Sequence, residues 1–427
     1  MQTAVIVTIV ILILALGLGL GLGLGLTSSA KPSFSQTPVP TPPTPPPYVP
    51  TAHNFNSPNF HSVGTIDVIA SFKKVECSAV SADNSVVAIG TFTDNPSSPE
   101  ENHPAVLLYR YVVGTSPPQY LFSSSFILND QNDQTFGAMT LRADNTSDIS
   151  GTIAVSLLST ENTGIVYTLR WANYVNMNLE YVIHGPFPNN TGNEFGRYLV
   201  IDTNFTLFVS TVSQLSKTGT IQAYSKGTQV YEISPGNLTT DEASTWGAVF
   251  QMSGPHVLLS YGEEVWAMTA TAAGVYDIVQ KLQQPLMGPY VSVSDNMQVM
   301  TVGSPKRGGV YLYIKVPSDF SSDAWIYRGF FTPSNAGTYQ NLGSYARVTS
   351  GGQAVVLGST LGGSVLVNID SKPDGTGGFQ ITQVQTFTYS ALMSNLNVNS
   401  VNTGEMIMQD TGKTELYIVQ MENIEDT

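Results

Sequence analysis

Charge is scarce in this chain. Lysine, arginine, aspartate and glutamate make up 11% of its 427 residues, against roughly 25% in ordinary soluble domains. The surface must therefore be covered by Ser, Thr, Asn and Gln, a composition suited to an exported protein. The shortage is greatest on the positive side: 17 Lys and Arg face 31 Asp and Glu, for a net charge of −14. Such a balance repels nucleic acid and anionic lipid, so no nucleic-acid partner is expected. Cysteine is nearly missing. Cys77 stands alone, which excludes an intramolecular disulfide and leaves the fold to rest on its core. Lying in an alternating apolar stretch, Cys77 reads as a small buried hydrophobe rather than a nucleophile.

Catalytic signatures are missing too. The five histidines, His53, His61, His103, His184 and His256, have no metal-ligand spacing. No GxSxG, HExxH, phosphate-binding or dinucleotide fingerprint occurs in a confirming context. The acidic pairs Glu100-Glu101, Asp241-Glu242 and Glu263-Glu264 fall in expected loops, where neighbouring carboxylates are solvated. No catalytic residue, cofactor or metal is assigned, and a non-enzymatic role is preferred.

What the chain does have begins at its N-terminus. Ala4 to Leu26 is an uncharged apolar run ending in a Gly-Leu alternation, long enough to span a bilayer. A signal-peptide core is usually about 7–15 residues long behind a basic stretch. Met1-Gln2-Thr3 carries no charged side chain, so residues 1–30 are read as an uncleaved single-pass anchor, with the membrane as a partner through residues 4–26. A cleaved signal stays open, because Ser28 and Ala30 offer small residues at a cleavage position. Residues 31–58 contain TPVPTPPTPPPYVP, which lacks backbone donors and favours extended polyproline geometry, a stalk. Either reading places residues 59–427 outside the cell, in a lumen or on a virion surface. Sequons at Asn145, Asn189, Asn204 and Asn237 are candidate glycosylation sites there.

Residues 59–427 repeat. An apolar residue followed by Gly opens an alternating strand; a turn, a second strand ending near Gly, and a Gly-led strand rich in Val and Tyr follow. Units begin near 74, 136, 195, 246, 287, 342 and 394, the first and last lacking the apolar-Gly pair, and each but the last carries four runs of period 2, which read as four antiparallel strands. MGPYVSVSDNMQVMTVGSPKRGGVYLYIKV from Met287 and LGSYARVTSGGQAVVLGSTLGGSVLVNI from Leu342 align almost without gaps. The last unit supplies only three strands, and Gly64–Phe72 is positioned to complete it by pairing with Glu415–Met421. The expected fold is an all-β, seven-bladed β-propeller of four-stranded antiparallel blades, closed by an N-terminal strand.

The Phe-Gly, Val-Gly-Ser-Pro and Gly-Gly-Val-Tyr-Leu-Tyr elements resemble the FG-GAP repeat of integrin α-subunit propellers. The resemblance covers about Gly64 to Met421 and implies a seven-bladed cage for recognising protein or glycan partners. Many FG-GAP repeats carry an Asp-rich calcium loop. Here the corresponding turns lack alternating Asp and Gly; only Asp144, Asn145 and Asp148 hint at one, so calcium is not supported.

Loops on a rigid scaffold are where function concentrates. A candidate partner-binding rim gathers Asp130, Asp133, Glu194, Asp241 and Glu242, with Phe187 as an apolar anchor. Charged residues on or beside the first strands are few, chiefly Arg142, Asp144, Arg197, Asp202, Asp295 and Arg347. Three functional readings follow in order: a membrane-anchored recognition or adhesion propeller, a structural envelope or coat protein, and a propeller hydrolase.

Overall fold

The computed structural model describes most of residues 59–427. Residues 1–58 lie outside the described set, as do 94–102, 129–133, 145–149, 187–192 and 234–249 among the connections. The anchor and stalk therefore fall outside it. Among the described residues no helix is long and apolar enough to cross a membrane.

The described chain is all-β, in seven four-stranded antiparallel sheets. The first sheet holds Cys77–Val80, Val86–Thr93, His103–Tyr111 and Tyr120–Ile127. The second holds Gln134–Ala143, Ser150–Ser159, Ile165–Ala172 and Asn176–His184, and the third Asn193–Ile201, Leu207–Ser213, Thr218–Ser225 and Thr228–Ile233. Phe250–Ser253, His256–Tyr261, Glu264–Ala272 and Val275–Gln283 form the fourth; Val291–Val293, Val299–Ser304, Gly309–Val316 and Ala324–Phe331 form the fifth. The sixth comprises Tyr345–Val348, Ala354–Gly358, Ser364–Ser371 and Phe379–Phe387. In these six, spatial order follows chain order. Glu264 opens a strand and accepts a hydrogen bond from Trp266 Nε1 at 2.8 Å, so that carboxylate is not the free loop acid expected.

The seventh sheet is built from both ends of the described chain. Ala391–Val398, Gly404–Asp410 and Glu415–Glu422 supply three strands, and Asn59–Asp67 supplies the fourth. Thr65 pairs with Tyr417, Ile66 with Leu416 and Asp67 with Glu415, the pairing expected from the incomplete last unit. It runs from Asn59 to Asp67, earlier than the Gly64–Phe72 segment expected.

The second and third strands read as nearly unbroken apolar runs because both faces are covered. In Val86–Thr93, alternate side chains point to opposite faces. Val86 and Ala88 pack with Ile153, Val155 and Leu157 of the second sheet, while Val87 and Ile89 pack with Ile66 and Leu416 of the seventh. The fifth sheet repeats the pattern: Tyr311 and Tyr313 face Leu258 and Val265 of the fourth, and Val310, Leu312 and Ile314 face Val355 and Leu357 of the sixth. Further cores lie between the second and third sheets and between the third and fourth. Each described core thus belongs to two consecutive sheets. First strands are neighbours in the same succession, and the seventh sheet's first strand adjoins that of the first sheet, so the first strands make a circuit.

Close approach at the junctions explains the glycines that follow the leading apolar residues. Gly196 has a φ of 85°, and a Cβ there would lie 2.6 Å from Ser156 Cβ of the second sheet. Gly343, which follows Leu342, has a φ of 93°, and its carbonyl oxygen would lie 2.0 Å from a Cβ on Gly303 in the fifth sheet's second strand. Polar bonds cross the same junctions: Val348 N–H donates to Ser292 Oγ at 3.1 Å, and Tyr109 O–H donates to the Asp67 carbonyl at 3.0 Å. Phe195, Met287 and Leu342, which lead three of the units, are buried.

Candidate functional site

Of the expected acidic rim, Asp130, Asp133, Phe187, Asp241 and Glu242 lie outside the described residues. Glu194 is described, and it is not a free rim acid. Its carboxylate accepts a hydrogen bond from Arg197 Nη1 at 2.5 Å, with both side chains about a third exposed (34% and 29%). Among the candidate glycosylation sites, Asn145, Asn189 and Asn237 lie outside the described residues; Asn204 is exposed in the turn between the third sheet's first two strands.

Three of the six charged residues picked out near the first strands, Asp144, Arg197 and Asp202, have structural partners. Asp144 accepts from Ser150 Oγ at 2.5 Å and is ion-paired with Arg170. A carboxylate already engaged by a guanidinium is poorly disposed to lead a calcium site. Asp202 is buried and its Oδ1 accepts from the backbone N–H groups of Asn204 at 2.8 Å and Thr206 at 2.7 Å, so it caps the turn carrying the Asn204 sequon. Arg142 is held below the usual arginine range by desolvation, opposed by the charge of Asp202; its Nε is buried without a partner. Desolvation also lowers the Arg347 pKa. Asp295 is outside the described residues. Cys77 is half-buried, with desolvation pushing its thiol well above the ordinary range, as fits a packing residue.

One cluster was not picked out from the sequence. Tyr198, Tyr290 and Tyr345 occupy one position in three units, each the fourth residue of FGRY, MGPY and LGSY. Register makes the equivalence structural. The residue after each tyrosine pairs with the second strand one step before a small residue: Leu199 with Val209 before Ser210, Val291 with Val302 before Gly303, Ala346 with Leu357 before Gly358. Although the third sheet is not next to the fifth or sixth in the circuit, Tyr198 lies near enough to Tyr290 and Tyr345 to raise both phenol pKa values electrostatically. Tyr290 and Tyr345 are in ring contact, and Tyr198 stands across the circuit within electrostatic range of both.

The geometry around them is specific. The Tyr290 and Tyr345 ring centroids are 5.5 Å apart, with ring planes inclined at 51°. Arg197 Nε donates to Tyr198 Oη at 3.1 Å, and its guanidinium carbon lies 5.6 Å from the Tyr198 ring centroid. All four side chains are half-buried. Burial, more than any neighbour, raises the phenols: Tyr290 is pushed up to about 12, and Tyr198 and Tyr345 move the same way. All three are protonated near neutral pH and serve as hydrogen-bond donors and acceptors. Desolvation would lower the Arg197 pKa, but Tyr198 and Glu194 outweigh it and raise it. Among the described residues, the hydroxyls of Tyr290 and Tyr345 have no hydrogen-bond partner. No described group of three or more His, Cys, Asp or Glu side chains is arranged to hold a metal ion. The arrangement can orient a ligand by stacking and hydrogen bonding.

No family model matches the chain, and no curated protein matches it. Solved structures similar to it include these two. Sqt1 from Saccharomyces cerevisiae has 14% identity and a TM-score of 0.48, over 86% of this chain and 100% of that one. A protein of unknown function from Desulfotomaculum acetoxidans has 12% identity and a TM-score of 0.49, over 74% of this chain and 88% of that one.

Proposed function

We propose that the chain is a seven-bladed, FG-GAP-like β-propeller that recognises a protein or glycan partner without transforming it. The apolar segment 4–26 tethers it to a membrane, and the stalk 31–58 extends the body on the extracellular, lumenal or virion-surface side. Sheets that share each core with the next sheet, and first strands whose succession returns to its start, support the propeller reading, because radial stacking covers both faces of every blade. The recognition reading is carried by one observation: the Tyr290 and Tyr345 rings stand 5.5 Å apart with their hydroxyls left open, and Tyr198 and Arg197 lie within electrostatic range of Tyr290. A site of this kind, aromatic with a few aimed polar groups on rigid strands, is built to bind. The test is a cell-binding and glycan-array screen of the purified full chain. Saturable, competable binding supports recognition; no binding to cells, proteins or glycans overturns it.

The structural envelope or coat reading has an observation of its own. Phe122, Leu179, Val230, Val279 and Ile326 are exposed large hydrophobics on the fourth strands of five successive sheets, the edges farthest in strand order from the circuit. Repeated apolar exposure suits lateral association. Sedimentation of the full chain over a concentration series distinguishes the readings, since a coat protein self-associates and an isolated recognition module stays monomeric.

A further inference from the structure

We infer that the tyrosine cluster in the strand circuit is a binding site for a neutral saccharide, one sugar unit of a glycan seated between Tyr198, Tyr290 and Tyr345 and hydrogen-bonded by their hydroxyls and by Arg197. This rests on the recognition reading above and assigns it a ligand class and a place.

The chemistry of the open groups makes the choice. The Tyr290 and Tyr345 rings, inclined at 51° with centroids 5.5 Å apart, offer two faces to the C–H surface of a pyranose. Their hydroxyls lack hydrogen-bond partners among the described residues. A phenol both donates and accepts, as a sugar hydroxyl does, so each can pair in whichever sense the ligand needs. Arg197 spends Nε on Tyr198 and Nη1 on Glu194, leaving Nη2 with no protein partner among the described residues. The open groups decide against the alternatives. Arg197 is already paired with Glu194, so an anionic ligand would have to compete with a bound carboxylate. A quaternary ammonium head, which also favours aromatic faces, neither donates nor accepts a hydrogen bond and would leave the Tyr290 and Tyr345 hydroxyls unanswered. A neutral polyol meets neither cost. The half-burial of all four side chains leaves the cluster open to solvent while lowering the competition of water for its hydrogen bonds.

The test uses the purified full chain and isothermal titration with four probes: chitohexaose, mannohexaose, hexagalacturonate and choline. Binding to a neutral oligosaccharide is expected, and substituting Tyr290→Phe and Tyr345→Phe is expected to weaken it roughly three- to ten-fold per hydroxyl. The unfolding midpoint should not change, because neither hydroxyl bonds to the protein. Arg197→Met gives a second, independent loss. The inference is overturned by preference for hexagalacturonate or choline, by equal affinity in wild type and the double tyrosine variant, or by no binding of either neutral probe. Cell binding that persists in wild type and variant alike, with no sugar bound, removes this site and leaves recognition standing. Absence of cell binding in the wild type removes both.

Discussion

The junctions between sheets and the middle of the strand circuit are made of the same short strands but solve opposite problems. At a junction every gap is closed: a Cβ on Gly303 would be 2.0 Å from a backbone oxygen, and Ile66 and Leu416 are buried to 1% and 0% exposure. Hydrogen bonds there cross from sheet to sheet. In the middle, hydroxyls of Tyr290 and Tyr345 are left without protein partners among the described residues, and side chains are half-exposed. Atoms close on one another at the seams, whereas polar groups in the middle face solvent where a ligand can reach them. Close packing makes the seams intolerant of added or removed atoms; openness makes the middle tolerant of both.

That contrast can be broken by mutation. Gly303→Val should cost about 3 kcal/mol of stability or prevent folding, because the obstructing atom is backbone and cannot swing aside; an unchanged midpoint in denaturant would show that the fifth and sixth sheets are not in close contact. Ile66→Ala should cost nearly as much, about 2–4 kcal/mol, by opening a cavity at the seam of the first and seventh sheets. Alkaline titration probes both regions at once. Burial pushes Tyr109, at a seam, and Tyr290, in the middle, up to about 12 from an ordinary value of 10. The folded chain then holds protons that the unfolded chain releases, so stability is intact below pH 10 and declines as the pH rises from 10 to 12. A midpoint flat across that window would contradict the burial of both groups. Glu194→Gln removes a pair whose members are each about a third exposed, and should change stability by less than about 1 kcal/mol. Smallest of all, calcium or EDTA should leave the midpoint unmoved, since the Asp144 carboxylate is taken by Arg170 and Ser150.

Strand architecture was legible in the sequence because both of its signals are local. Period-2 runs, joined in five units by the leading apolar-Gly pair, placed units near 74, 136, 195, 246, 287, 342 and 394, and first strands begin at Cys77, Gln134, Asn193, Phe250, Val291, Tyr345 and Ala391. The incomplete last unit foretold that a strand near Ile66 would pair with one near Leu416. The candidate site was legible only in outline. Glu194 read as a rim acid because its partner Arg197, three residues on, was assigned separately as a first-strand charge; only the fold shows them bonded. The tyrosine cluster was overlooked for a different reason. FGRY, MGPY and LGSY carry the signal, a tyrosine at one position in three repeats, but its meaning depends on which positions meet across the circuit. That is a long-range fact no single unit contains.

The composite seventh sheet has a consequence in time. Asn59–Asp67 must find Glu415–Glu422, and at about 5–20 residues per second a ribosome takes on the order of 20–70 s to make the intervening chain. Through that interval the N-terminal strand has lost no synthesis time but has no partner, and the first sheet's Val87 and Ile89 wait beside it for their covering face. Six sheets can form as they emerge; the seventh can form only after nearly all the rest, so among the described residues assembly ends by joining the oldest strand to the youngest.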